Sequence, residues 1–137
     1  FHEAALPSFK TYARQIVHNA QTLADTLKAS GWRIVSGGTD SHLFLLDTWA
    51  GGIGGKVASD LFGAADIIVN KNAIPYDARK PADPSGIRIG TPAITTRGMR
   101  EKEMMLIAGW IGRMLKKGNP EEIKKEVYAL TRKFPLP

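Results

Sequence analysis

The chain has 137 residues, of which 43% are hydrophobic and 23% are charged, and it contains no cysteine. The length fits a single domain, the composition is that of a globular chain, and the absence of thiols excludes disulfides, thiolate metal sites and a cysteine nucleophile. The net charge of +6 comes from lysines and arginines without interleaved aromatic residues, so we interpret it as solvated helix faces and expect no nucleic-acid partner.

Periodicity predicts a helix, a hairpin and a second helix in the first half of the chain. Apolar residues recur at helical spacing over 7–30, and Gly31 supplies the stop signal. The apolar runs 32–36 and 42–49 are separated by turn residues, which is typical of an antiparallel hairpin. The glycine-rich stretch 51–55 then leads into a short helix. Its predicted apolar face comprises Val57, Ala58, Leu61 and Phe62.

The second half is predicted to hold two strands, a long loop and two helices. The segment 67–69 predicts a brief strand, and 70–84, with its three prolines, predicts an irregular loop. A further strand follows over 85–90, and Gly98 and Asn119 are the predicted N-caps of two closing helices. The residues predicted to point inward from these helices are Met104, Ile107, Ala108, Ile111, Met114, Leu115, Ile123, Val127, Leu130 and Phe134.

This order of elements predicts an α+β fold, a two-layer sandwich in which helices pack on one face of a small, mainly antiparallel sheet. The glycines before Lys56 do not make a phosphate-binding loop, because Ala50 and Val57 stand where that motif needs glycine and a hydroxyl residue. The three histidines lie far apart without ligand spacing, and no apolar run is long enough to cross a bilayer. We therefore expect neither a metal site nor a membrane partner.

The most informative residue is Arg88, which lies between two isoleucines in the predicted strand 85–90. Because side chains alternate along a strand, the isoleucines point to the core and Arg88 points away from it. Gly86 and Gly90 are expected to leave open space on the face that carries Arg88. A planar guanidinium on a rigid strand suits a carboxylate or a phosphate. From the spacing alone, a solvated strand arginine is an equal alternative.

Several spaced motifs occur in one order along the chain and together carry a family resemblance. They are Ser36-Gly37-Gly38-Thr39-Asp40 with His42-Leu43, Asn70-Lys71-Asn72 with Ile74-Pro75, Ser85-Gly86-Ile87-Arg88 with Gly90-Thr91-Pro92-Ala93, and Thr96-Arg97-Gly98. In this order they resemble the C-terminal third of the serine hydroxymethyltransferases, from about Leu6 to the end of the chain. The chain also begins at Phe1 rather than at methionine, so we expect it to have been cut from something larger.

The resemblance implies a pyridoxal-phosphate enzyme of the aspartate-aminotransferase fold type, of which residues 1–137 are the single C-terminal domain. Such an enzyme moves the hydroxymethyl carbon of serine to tetrahydrofolate and leaves glycine. The resemblance further implies a cytoplasmic homodimer or tetramer. The arginine that holds the substrate carboxylate in this family corresponds to Arg88, and Arg97 matches a second arginine near the substrate.

The resemblance also implies a folate contact and an incomplete cofactor site. Asn72 corresponds to an asparagine at the folate site. Lys80, Pro81 and Ala82 match a folate-contacting stretch that is commonly Ser-Pro-Phe, so only the proline persists. No lysine follows a Thr-His pair, which is where the family places the lysine that binds the cofactor covalently. We therefore expect no catalytic residue in this chain, poor cofactor binding, and no activity of the chain alone.

Two alternative functions remain at this point. The first is a stand-alone basic binding module for an anionic ligand or RNA, which salt-sensitive RNA binding would support. The second is a related enzyme of the same fold type, such as an α-oxoamine synthase. The Ser-Gly-Gly-Thr-Asp and Asn-Lys-Asn motifs count against that relative.

Overall fold

The computed structural model describes all residues, 1–137. Its helices and strands, in chain order, are α1 (Pro7–Ala29), β1 (Arg33–Ile34), β2 (Leu43–Asp47), α2 (Gly55–Ala64), β3 (Asn70–Asn72), β4 (Gly86–Gly90), α3 (Pro92–Thr96), α4 (Glu101–Leu115) and α5 (Pro120–Lys133). Short 3₁₀ turns cover Glu3–Ala5, Val35–Gly37 and Trp49–Gly51.

The four strands form one sheet in the order β1-β2-β4-β3, and every neighbouring pair is antiparallel. The register sets Leu46 opposite Ile87 and Phe44 opposite Ile89. These four side chains share one face of the sheet and are 0–6% exposed. We call this side of the sheet the covered face.

The helices pack on the covered face. A single core cluster of 21 buried residues joins the sheet to α1, α2, α4 and α5. α1 and α4 present apolar faces at helical spacing, with residues such as Leu23, Leu27, Met104 and Ile111 no more than 1% exposed. The predicted α+β sandwich with helices on one face of an antiparallel sheet is therefore confirmed.

Buried polar residues attach α3 to α1 just beyond the end of β4. The Thr91 hydroxyl donates to the carbonyl of Ile16 at 2.8 Å. The Asn19 amide, which is fully buried, donates to the Thr95 hydroxyl at 2.8 Å and to the carbonyl of Met99 at 3.0 Å. Because buried polar groups are costly unless they are paired, these bonds fix where the chain goes after β4.

The predicted strand segments differ in detail from the observed ones. The edge strand is β3, Asn70–Asn72, and not the apolar segment 67–69, which has no regular structure but lies partly against the core. The run 32–36 contributes only β1, because Ser36 adopts a positive φ of 61° inside a 3₁₀ turn. The predicted pairing of that run with β2 is confirmed.

Two further predictions need correction. Val57 does not belong to the buried face of α2, since it is 58% exposed. The N-cap of α4 is Arg100, whose backbone N–H donates to the Glu103 carboxylate at 2.9 Å, and not Gly98. Gly98 has φ +91° and follows α3, a short helix that the sequence analysis did not predict. The predicted start of α5 is confirmed, because the Asn119 side chain accepts from the N–H of Glu121 at 3.0 Å.

Candidate functional site

The second face of the sheet, which we call the open face, carries Arg88 from β4, Asn70 and Asn72 from β3, and Leu43 and Leu45 from β2. The alternation of side chains along each strand places them there, opposite to the buried isoleucines. Arg88 and Asn70 are exposed, and the two leucines and Asn72 are half-buried. The open face is therefore a polar patch with an apolar border.

Arg88 lies at the centre of the open face, on β4, one of the two inner strands of the sheet. Leu45 is its partner in β2 and Asn70 is its partner in β3. The guanidinium is exposed, and it makes no hydrogen bond or ion pair with any side chain or backbone group. A free guanidinium on a rigid strand is available for bidentate binding of a planar anion.

The two glycines beside Arg88 do not behave alike, and the prediction of open space at both is wrong for Gly86. A Cβ added at Gly86 would lie 2.7 Å from Cγ2 of Ile74 and 2.9 Å from the carbonyl of Leu46. The loop between β3 and β4 thus covers this end of the strand. At Gly90 an added Cβ would meet only ordinary contacts of 3.6 Å or more. The free space beside Arg88 therefore lies toward Gly90.

One carboxylate shares the open face with Arg88, and it is already paired. Asp47 lies diagonally from Arg88 in the ladder, opposite Gly86, and is 5% exposed. It forms an ion pair with Arg33, its partner in β1, and accepts the N–H of Ala50 at 3.0 Å. This carboxylate is thereby compensated without Arg88.

The loop from Ala73 to Pro84 is held at its two ends by Asp77. The Asp77 carboxylate accepts the N–H of Ile74 at 3.2 Å and of Arg79 at 2.9 Å. It also accepts the N–H of Ser85 at 2.9 Å and the Ser85 hydroxyl at 2.6 Å. The hydroxyl bond, together with the backbone N–H groups of Ser85, Arg79 and Ile74, lowers the pKa of Asp77 well below its usual range.

A second set of contacts ties the same loop to the start of α2. The Arg79 guanidinium lies 3.9 Å from the ring centroid of Trp49 and forms an ion pair with Asp83. The Asp83 carboxylate accepts the N–H of Lys56 in the first turn of α2 at 3.2 Å. Trp49 thus packs against an arginine at the surface.

The residues predicted to contact folate lie at the end of β3 and in the loop that follows it. Asn72 is half-buried at the end of β3, and its side-chain amide donates to the carbonyl of Ala73 at 2.7 Å. Lys80, Pro81 and Ala82 are exposed, and the Ala82 carbonyl accepts from the Lys71 ammonium at 2.9 Å. The structure therefore brings Asn72 onto the face of Arg88, while the other three residues lie in the loop and are exposed to solvent.

Comparison with known proteins gives one consistent family. A sequence profile described as serine hydroxymethyltransferase matches residues 1–111. The chain belongs to the serine hydroxymethyltransferase family. The serine hydroxymethyltransferase of Acidobacterium capsulatum is 54% identical over 140 residues, which include 99% of this chain and 33% of that protein.

Two further members of the family show the same coverage. The serine hydroxymethyltransferases of Koribacter versatilis and Nitrosococcus oceani are 49% and 48% identical over 99% of this chain, and the matches cover 33% and 34% of those proteins. The chain therefore spans about a third of the length of the curated relatives it matches.

Within this member of the family, Arg97 is not brought together with Arg88. Its guanidinium donates to the carbonyl of Thr131 in α5 at 2.8 Å, and its Nε is buried without a partner. α5 packs against the core on the covered side of the sheet through residues such as Ile123. The structure thus places Arg97 among the helices, and its contact with substrate stays a prediction.

The Ser36–Asp40 motif makes the turn that connects β1 and β2. Ser36 and Gly37 have positive φ values of 61° and 74°. The Thr39 hydroxyl donates to the carbonyl of Leu43 at 2.6 Å and accepts the N–H of Ser41 at 3.1 Å. This motif is explained by turn chemistry.

Two groups in the site were missed by sequence reasoning. Asn70 faces Arg88 directly across the ladder, whereas sequence reasoning singled out only Asn72. The period of two already places both asparagines on one face, but the register with β4 is a tertiary property. Asp77 was also missed, although an aspartate that binds the backbone two residues ahead is a known turn signal.

Neither a metal site nor a membrane span is found among the residues. No three His, Cys, Asp or Glu side chains lie close enough together to hold a metal ion. No helix combines the length and the apolarity that crossing a bilayer requires.

Proposed function

We propose that residues 1–137 are the C-terminal domain of a larger pyridoxal-phosphate-dependent serine hydroxymethyltransferase. Such an enzyme interconverts serine and glycine and transfers the hydroxymethyl carbon to tetrahydrofolate. Family membership favours this function over a stand-alone binding module for an anion or RNA. A cytoplasmic location and a homodimeric or tetrameric assembly stay predictions that rest on the resemblance alone.

The observation that carries the proposal is the unpaired Arg88 on the open face. In this proposal its guanidinium binds the carboxylate of serine or glycine through two parallel hydrogen bonds. Two bonds define an angle as well as a distance, so the arginine fixes the rotation about the α-carbon of the amino acid. Holding a substrate in one reactive orientation is itself a large contribution to catalysis. Arg97 has the weaker claim to a substrate contact, because its guanidinium already binds a backbone carbonyl.

The folate side of the proposed site is the end of β3 and the loop that follows it. Asn72 lies on the same face as Arg88 and has an amide that can read a donor and an acceptor on one ligand. Lys80, Pro81 and Ala82 are exposed and thus accessible to a ligand. We propose that Asn72 is the principal folate contact of this chain and that the exposed residues contribute less.

We propose that no lysine of this chain binds pyridoxal phosphate covalently. A lysine that attacks a carbonyl group must be neutral, which normally requires burial or a neighbouring cation. Every lysine except Lys124 is exposed, and the hydrogen bond that Lys124 makes with Asp66 raises its pKa. We propose that residues outside this chain hold the cofactor and that no catalytic residue lies within it.

The test is the variant Arg88→Ala in the intact parent enzyme. Removing the partner of a bound carboxylate is expected to weaken serine binding by about 30-fold or more and to abolish turnover. The visible absorption of the bound cofactor is expected to persist. Arg88→Lys retains the charge but not the geometry of two parallel hydrogen bonds. Its activity is therefore expected to lie between that of the parent enzyme and that of Arg88→Ala.

The matched control is Arg132→Ala, which removes an exposed arginine of α5 whose side chain makes no hydrogen bond or ion pair. It is expected to leave serine turnover unchanged. Near-normal turnover in Arg88→Ala would reject the proposed role of Arg88.

A further inference from the structure

The loop between β3 and β4 joins the two halves of the proposed site. It starts directly after Asn72, at the end of the edge strand, and it ends at Ser85, three positions before Arg88. Whatever fixes this loop therefore also fixes the distance between the two co-substrate contacts. Within this loop, the family resemblance implies a role in the site only for the exposed residues 80–82.

We propose that Asp77 is a positioning residue that sets the place of the folate contact Asn72 relative to Arg88. The proposal rests on the proposed function of the open face. Its carboxylate binds the N–H of Ile74, two residues after Asn72, and both the N–H and the hydroxyl of Ser85. One side chain thus links the exit of β3 to the entry of β4. We call these contacts the Asp77 latch.

A packing contact of Ile74 also holds the end of β3 against the start of β4. The Ile74 side chain covers Gly86, so closely that a Cβ there would lie 2.7 Å from its Cγ2. Gly86 is the partner of Asn72 in the ladder, and this is the last residue pair between the two strands. The latch and this contact therefore act at the same place, where the ladder ends and could otherwise fray.

The two co-substrate contacts depend on the latch to different extents. Arg88 lies on β4, which is paired with β2 on one side and β3 on the other, so its backbone is fixed without the loop. Asn72 is the last residue of a three-residue edge strand that has one neighbour only. Short edge strands are held weakly by their own ladder. Loss of the latch should therefore displace Asn72 and leave Arg88 in place.

The groups around Asp77 match an ionised carboxylate, which is a hydrogen-bond acceptor only. All four groups that contact the Asp77 carboxylate are hydrogen-bond donors. These donors bind the ionised form of the carboxylate and so lower the pKa of Asp77. An amide at this position would turn its NH₂ group toward at least one donor, so asparagine can keep only part of the latch.

The experiment compares Ser85→Ala, Asp77→Asn and Asp77→Ala in the intact parent enzyme. Two quantities are measured: the KM for tetrahydrofolate at saturating serine, and the Kd for serine without tetrahydrofolate. We expect the KM for tetrahydrofolate to rise in that order and to reach about tenfold in Asp77→Ala. The Kd for serine should stay within about twofold of the parent value. Asp60→Asn, which removes an exposed ion pair with Lys56 on α2, is the control and should change neither quantity.

A parallel rise in both quantities would overturn the proposal, because it would show a general loss of structure. An unchanged KM for tetrahydrofolate in all three variants would overturn it as well. Ser85→Ala removes a single hydrogen bond of 2.6 Å, so it keeps the test decisive if Asp77→Ala does not fold. The proposed function fails separately, if the parent enzyme shows no tetrahydrofolate-dependent turnover or if Arg88→Ala leaves the Kd for serine unchanged.

Discussion

The two faces of the sheet are built from the same strands and differ in almost every other respect. On the covered face, Leu46 and Ile87 are fully buried between the strands and the helices. On the open face, their direct neighbours Leu45 and Arg88 are half-buried and exposed. Because adjacent residues point to opposite faces, β4 carries buried core residues and the proposed substrate contact Arg88 within five residues. We therefore expect that stability and substrate binding can be changed separately, by substitutions at neighbouring residues of one strand.

The largest expected effect tests the stability side of this contrast. Ile87→Ala removes a fully buried side chain from the core cluster and should lower the free energy of unfolding by about 2–5 kcal/mol. Leu45→Ala, on the opposite face and one strand away, should cost less than half as much because Leu45 is only half-buried. Urea unfolding of both variants, followed by circular dichroism, measures the difference. Equal losses would show that the open face is covered in solution.

A smaller effect, on serine binding, is expected when the ion pair between Arg33 and Asp47 is removed. Arg33→Ala leaves Asp47 without its partner, and the nearest remaining arginine on that face is Arg88, diagonally across the ladder. The freed carboxylate should compete with the substrate and weaken serine binding in the parent enzyme by about two- to fivefold. Titration with serine in low salt measures this change, since salt screens such interactions.

Two further variants make the Arg33 prediction specific. Arg33→Lys keeps the positive charge and should leave the Kd for serine nearly unchanged. The double variant Arg33→Ala with Asp47→Asn removes the competing charge and should restore the parent affinity. If the double variant binds serine as weakly as Arg33→Ala alone, then competition by Asp47 is not the cause.

The sequence predicts the parts of the fold that depend on local patterns. The start of α5 was placed correctly because Asn119 and Pro120 are strong start signals, and α1 because its apolar period extends over the whole helix. The position of β3 was predicted wrongly, at 67–69, because its residues, Asn-Lys-Asn, include no apolar residue. α3 was missed because it has five residues and lacks a periodic apolar face.

In the candidate site as well, the features that depend on local sequence patterns could be predicted, and those that depend on tertiary contacts could not. That Arg88 points away from the core follows from alternation alone, and the structure confirms it. The space at Gly86 was predicted wrongly, because Ile74 reaches it from a loop twelve positions earlier in the chain. The pairing of Asp47 with Arg33 depends on strand register, which the sequence leaves open.

The smallest expected effect concerns a charge on the helical side. The Glu126 carboxylate of α5 accepts from Arg113 at 2.7 Å and from the indole N–H of Trp110 at 2.6 Å. The bond from Arg113, and then that from Trp110, lowers the pKa of Glu126 below its ordinary value of 4.5. A carboxyl group whose pKa is lower in the folded state stabilises that state above the unfolded pKa. Its contribution is lost as the pH falls through the folded pKa.

Glu126→Gln should therefore be less stable than the parent chain at pH 7, and this difference should shrink as the pH falls below 4.5. Unfolding midpoints in urea between pH 7 and pH 3 measure it. In an Arg113→Ala background the difference should be smaller at every pH, because the main cause of the shift is gone. Since Glu126 lies on a helix of the covered side, the change should leave serine binding in the parent enzyme unaltered. Arg88→Ala should show the reverse behaviour, with altered binding and unaltered stability, because its guanidinium has no partner in the folded chain.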